Sequence, residues 1–342
     1  MGAEVEQHDP IEGVRGSEEW VAAAMALGGT STDEQIFETL TSAAVVIVDE
    51  LIEVAALHEH TLADHPLAHE LASLRALGEL CAGLAQMVRG RPEPDPTPLA
   101  TALLMLNAMA RQRMFEAETL ILADLGDGAL ILARTLYETS TKAIILRRFH
   151  GTEGHEFLAD HYLMSSMVET RGNARIHEET WGQHEHAYDP NTLARVEAIA
   201  KEQIDVAAEQ GNPLLAKSNG WAAPINGGKV PTLRQMAELA EVDDHQLAYK
   251  HASHLVHANA YAAIQYGDPV CGPDVYGQNG SLKYSAMAGM YTALGVGRTC
   301  KALIGEHRTP VEVRALLVLQ QLSARAHKLF HDAAGRLVNS AG

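Results

Sequence analysis

The chain is short of aromatic residues, cysteine, basic charge and long apolar runs, and each shortage removes a class of protein. Phe, Trp and Tyr make up 5% of its 342 residues, too few rings for a β-sandwich core, while abundant Ala and Leu favour close-packed helices. The three cysteines, Cys81, Cys271 and Cys300, are odd in number, far apart and without a Cys-x-x-Cys spacing. That argues against a disulfide framework or a zinc knuckle and leaves reduced, buried thiols. Lys and Arg number 26 against 44 Asp and Glu, for a net charge of −18. An acidic whole repels polyanions, so neither a long nucleic-acid groove nor attachment to an anionic membrane is expected, although a short RNA contact is compatible. The opening residues MGAEVEQHDPIEGVRGSEE contain no basic region followed by an apolar run, and no apolar stretch approaches the ~18 residues of a membrane span. The expected location is cytoplasmic, with no membrane partner.

What is present is helical periodicity. Apolar residues make up 46% and charged residues 20%, a globular balance. Residues 1–17 are polar, acidic and expected to be disordered. Residues 18–90 form an N-terminal helical region, with Thr32 as a cap and Ile36, Leu40, Ala44, Ile47, Leu51 and Val54 at alternating steps of four and three. Residues 91–98 lie within GRPEPDPTP, a proline-rich linker that cannot be helical. The main domain, 99–338, then reads as helices over 99–124, 129–149, 153–180 and 190–210. A long Gly/Pro/Asn stretch over 210–232 follows, then a short helix capped by Thr232 and one started by Asp243 or Asp244. Two terminal helices, 281–305 and 310–337, complete it. No alternating strand and no fixed-period repeat occurs. The expected fold is all-α: a multi-helix bundle of about ten helices without a sheet.

Histidine patterns must be weighed against chance, because 18 histidines make pairs freely. His65/His69 and His327/His331 have the spacing of a metal clamp on one helical face, but random placement in 342 residues yields about one such pair. HASHLVHANAYAA, 251–263, is less easily dismissed, since it carries His251, His254 and His257 at steps of three. Steps of three turn successive side chains through about −60°, so only His254 and His257 make a usable metal pair. No Glu-x-x-His, P-loop, dinucleotide, esterase-elbow or His-Glu-x-x-His motif occurs. No cofactor is implied. The other unusual stretch is ILARTLYETSTKAIILRRF, 131–149, where Arg134 and Glu138 sit one turn apart in an otherwise apolar helix. A partly buried pair of this kind needs a further polar partner from another helix, and His254, His257 and Asn259 are the candidates.

ARTLYE, the later TLRQMAELAEV and the tyrosine-led YKHASHLVHAN together resemble the bacterial helical family known as domain of unknown function 5677, over roughly residues 100–265. The resemblance implies an Arg/Glu pair on a central helix, here Arg134 and Glu138. It also implies a Ser-x-x-x-His stretch on a later one, here Ser253 and His257, with Ala258-Asn259 departing from the commoner His-Gly. A more distant resemblance is to the HEPN-like helical ribonucleases of abortive-infection systems, signed by Arg and His a few residues apart. Arg148/His155, Arg171/His177 and Arg325/His331 match, at about the frequency that chance supplies.

Three functions are compatible with these residues. One is a noncatalytic sensor or interaction subunit, a homo-oligomer, in which the Arg–Glu–His network fixes helix packing. A second is a metal-independent ribonuclease of the defence or toxin kind. In it His257 moves the 2′-hydroxyl proton, Arg134 stabilises the phosphorane, Glu138 orients one of them and Asn259 assists. The third is a single-metal enzyme or small-molecule binder built on His254 and His257.

Overall fold

The computed structural model describes residues 33–57, 65–91, 97–181, 189–242, 246–256, 279–305 and 310–339. Among these residues there are ten α-helices and no strand: α1 (Asp33–Leu57), α2 (Ala68–Arg89), α3 (Pro98–Leu122), α4 (Gly126–Phe149), α5 (Leu158–Trp181), α6 (Pro190–Glu209), α7 (Leu233–Ala240), α8 (Gln246–Val256), α9 (Asn279–Ile304) and α10 (Pro310–Asn339). The protein is thus an all-α bundle. Thr32, Asp243, Asp244, Cys271, the N-terminal 1–17 and most of the proline-rich segment lie outside the described residues.

Local chemistry sets the helix ends. Thr97 accepts the Ala100 N–H ahead of Pro98, and Asp189 accepts the Thr192 N–H ahead of Pro190. Thr232 and Gln235 close a reciprocal capping box on α7. Two helices start elsewhere than the apolar pattern alone predicts. α4 begins at Gly126 rather than Ala129, because Asp124, at φ 56°, ends α3 and lets the next helix start at once. α5 begins at Leu158 rather than 153, because Gly151 and Gly154 take φ of 79° and 78° in a turn. The His150 imidazole Nδ1 then accepts the Ala159 N–H at 3.2 Å.

α9 is the hub, packing against α2, α3, α4 and α10. Small residues allow that approach. A Cβ on Gly289 would lie 2.3 Å from the Phe330 ring, and one on Gly295 2.9 Å from the Leu136 Cβ. Val48, Ile52, Leu71, Leu74, Leu77, Met114, Val296, Leu322 and Phe330 form one apolar core; a second gathers Leu103, Leu106, Leu146, Leu158, Trp221 and Met236. α4 contributes to both. α2 is long and apolar enough, by length and composition, to cross a membrane. Here Leu71, Leu74, Leu77, Cys81 and Leu84 on α2 are buried in the first core. The 210–232 stretch is packed rather than open: Trp221 is buried, and buried Asn212 donates to the Gly220 carbonyl at 3.1 Å.

Inter-helix ion pairs tie the bundle across long sequence separations. Three carboxylates, Glu70, Glu118 and Glu312, are almost wholly buried. Arg336 reaches Glu70 at 2.8 Å, Arg75 donates to Glu118, and Arg91 donates to Glu312 at 2.6 Å and to the Ile304 carbonyl at 2.9 Å. Arg147 donates to the Ala302 and Leu303 carbonyls at 2.7 and 3.1 Å, satisfying the C-terminal end of α9.

Candidate functional site

Arg134 and Glu138 lie one turn apart on α4, and their 3.2 Å ion pair is the local consequence of that spacing. α8 crosses α4 and supplies the third member. Arg134 Nη2 donates to the Tyr249 hydroxyl at 3.1 Å, and the guanidinium carbon stands 4.8 Å from the centre of the same ring. Tyr137, one helical step from Glu138, packs its ring 5.6 Å from that of Tyr249. Arg134 Nε is buried with no hydrogen-bond partner among the described residues. The Arg134 and Glu138 side chains are 22% and 31% exposed, so water still screens the pair.

Of the partners expected for this pair, His254 is half-buried on α8. His257 and Asn259 lie outside the described residues, as does the His251 side chain. The Ser253 hydroxyl donates back to the Tyr249 carbonyl at 2.7 Å. Tyr249 is therefore the residue whose part in the cluster the sequence pattern missed. Its one signal was its spacing: it precedes Ser253 by four residues, so it shares that face of the helix.

The other histidine pairs take different places. His65 Nδ1 accepts the Leu67 N–H at 3.1 Å at the start of α2, with Nε2 3.8 Å from Asp124, while His69 is exposed. His327 and His331 stack with centroids 6.4 Å apart, and His331 lies 3.4 Å from Asp332. Among the described residues no group of three His, Cys, Asp or Glu side chains is arranged to hold a metal ion. Cys81 and Cys300 are neighbours despite their distance in sequence. Both thiols are buried, and burial pushes Cys81 well above the ordinary thiol range, helped by its hydrogen bond with Cys300 and opposed by Arg111. Such thiols are unreactive in the folded state. A smaller hollow at the start of α5, about 150 Å³, is lined by His155, His161 and Gln210. His161 Nε2 meets Gln210 Oε1 at 3.2 Å, and burial lowers the His161 pKa.

Residues 102–270 match the family model described as Family of unknown function (DUF5677). The matched span runs from α3 past α8 and contains Arg134, Glu138, Tyr249 and Ser253. It supports the resemblance that these motifs carry. No curated protein and no solved structure matches the chain.

Proposed function

We propose that the protein is a noncatalytic helical sensor or interaction subunit in which Arg134, Glu138 and Tyr249 clasp α8 onto α4. The observation that carries this reading is how the guanidinium is used. One face of it lies over the Tyr249 ring, and Nη2 is shared between the Tyr249 hydroxyl and Glu138. An arginine that stabilises a phosphorane offers its N–H groups to the phosphate oxygens, and here Nη2 and the face of the guanidinium are engaged in helix packing instead. With Arg134 and Glu138 engaged in this way, the protein acts through its surfaces.

The test is Arg134→Ala. The pair is half-screened by water, so the loss comes mainly from the cation–π contact and the charged hydrogen bond, about 2–3 kcal/mol in total. The expected result is a lower melting temperature and no RNA cleavage by wild type. A melting temperature unchanged by R134A, or RNA cleavage that is lost in His257→Ala, would overturn the reading.

A further inference from the structure

Cys81 on α2 and Cys300 on α9 come together where those helices pack, both wholly buried and joined by a hydrogen bond between their thiols. A third helix brings a cation to them. α2 and α3 run antiparallel, with Arg75 facing Glu118 and Gly78 facing Met114, so the next turn sets Cys81 level with Arg111. Burial, the largest influence on Cys81, favours its protonated form, and the Arg111 charge favours the thiolate. No carboxylate among the described residues pairs with Arg111, and its buried Nε has no hydrogen-bond partner among them. Asn107 lies one turn earlier on the same face of α3 and is 1% exposed. Neither its amide nitrogen nor its amide oxygen has a partner among the described residues. Buried polar groups are as a rule hydrogen-bonded, so an unpartnered amide and guanidinium beside two thiols point to a group that is bound there.

We propose that Cys81 and Cys300 form a two-coordinate site for a monovalent soft cation, Cu(I), with Arg111 and Asn107 as the groups that compensate its charge. Thiolates select soft cations, and a pair of them suits Cu(I), whereas a structural Zn(II) takes four ligands. Among the described residues no group of three His, Cys, Asp or Glu is arranged for a metal, so the two thiols stand as a pair. The inertness of the buried thiols is no obstacle, because a coordinating cation deprotonates them outright. Both S–H bonds break, two Cu–S bonds form, two protons leave to solvent and no electron moves. The complex then carries a single negative charge. An uncompensated buried anion is unfavourable, and the Arg111 guanidinium supplies the opposite charge without having to leave another partner. The Asn107 amide adds N–H donors for sulfur, the support that a metal ligand receives from its surroundings. Arg111 also lines a shallow hollow of about 510 Å³ on the outward face of α3, so the same side chain links the thiols to solvent. The site shares no residue with the Arg134 clasp and goes beyond the interaction-subunit reading.

Anaerobic titration of the purified chain with Cu(I), in competition with a chromophoric Cu(I) chelator, provides the test. Wild type is expected to take one Cu(I) per chain, with an ultraviolet sulfur-to-metal charge-transfer band and the release of two protons. Saturation should also raise the melting temperature, because the folded state alone holds the two sulfurs together. Cys81→Ser and Cys300→Ser should each abolish the tight site, and Cys271→Ser should keep it. A serine in the core can unsettle the fold, so Arg111→Gln supplies a second reading that leaves both sulfurs in place. It should weaken Cu(I) binding about ten- to a hundredfold, and Arg111→Lys should recover part of that loss. A wild type that takes up no stoichiometric Cu(I), binding that survives in either folded serine variant, unchanged affinity in R111Q, or displacement of the Cu(I) by Zn(II) overturns the proposal. The R134A melt reads a contact between other helices, so either proposal can fail alone.

Discussion

Replacing Arg75 by Met tests the balance of forces inside the bundle most directly. Glu118 lies one turn from the C-terminal end of α3 and is 2% exposed, and Arg75 on α2 donates to its carboxylate. Burial raises the Glu118 pKa even with Arg75 beside it, so desolvation outweighs the ion-pair attraction. In R75M the carboxylate loses its cation while the apolar stem of the side chain is kept. An uncompensated buried charge costs about 3–5 kcal/mol. For a chain of this size that corresponds to a fall of roughly 4–7 °C in melting temperature at neutral pH. The sign of the pH dependence adds a second reading. A carboxyl whose folded pKa is raised holds a proton that the unfolded chain has already released. Its contribution therefore declines as pH rises from the ordinary Glu value, about 4.3, to the folded one. The deficit of R75M should accordingly be smallest in acid and grow toward neutrality. Adding Glu118→Met should restore most of the loss, because two apolar side chains fill the space without a charge to desolvate. Thermal melts followed by circular dichroism across that pH range would supply the data. A fall of under about 2 °C at pH 7, or a deficit independent of pH, would refute the reasoning.

Two further perturbations probe packing and protonation. Gly289→Ala puts a methyl 2.3 Å from the Phe330 ring where α9 meets α10. It should cost about 2–3 kcal/mol, part of which Phe330→Leu in the same chain should return; a neutral G289A in urea titration would contradict the close approach. His161 is held below the ordinary imidazole pKa by burial, against its Gln210 bond and Asp160, so the unfolded chain binds its proton first. Stability should therefore fall as pH drops below about 6.5. His161→Gln should flatten that fall without abolishing it, because burial lowers His150 in the same direction; identical slopes in melts at pH 7.5 and 5.5 would count against the assignment.

The sequence by itself determined the local structure. The Thr232 cap was read directly from the sequence, and the Arg134–Glu138 contact follows from one turn of helix; the Thr97-Pro98 and Asp189-Pro190 starts are equally local but were recognised only in the structure. The family resemblance was legible in short motifs that lie inside the matched span. Tertiary structure alone decided which helix meets which. It made Tyr249 the partner of Arg134, set Cys81 beside Cys300, and matched Glu118, Glu312 and Glu70 with arginines 43, 221 and 266 residues away. It also made α9, which reads as one more helix near the end of the chain, the centre of the bundle. The division has a physical cause. Contacts within a turn are set by the helix period of 3.6 residues, which any stretch of sequence displays. Contacts between helices depend on how apolar stripes of similar chemistry interlock, and many pairings satisfy the same stripes until side-chain volume at positions such as Gly289 and Gly295 selects one.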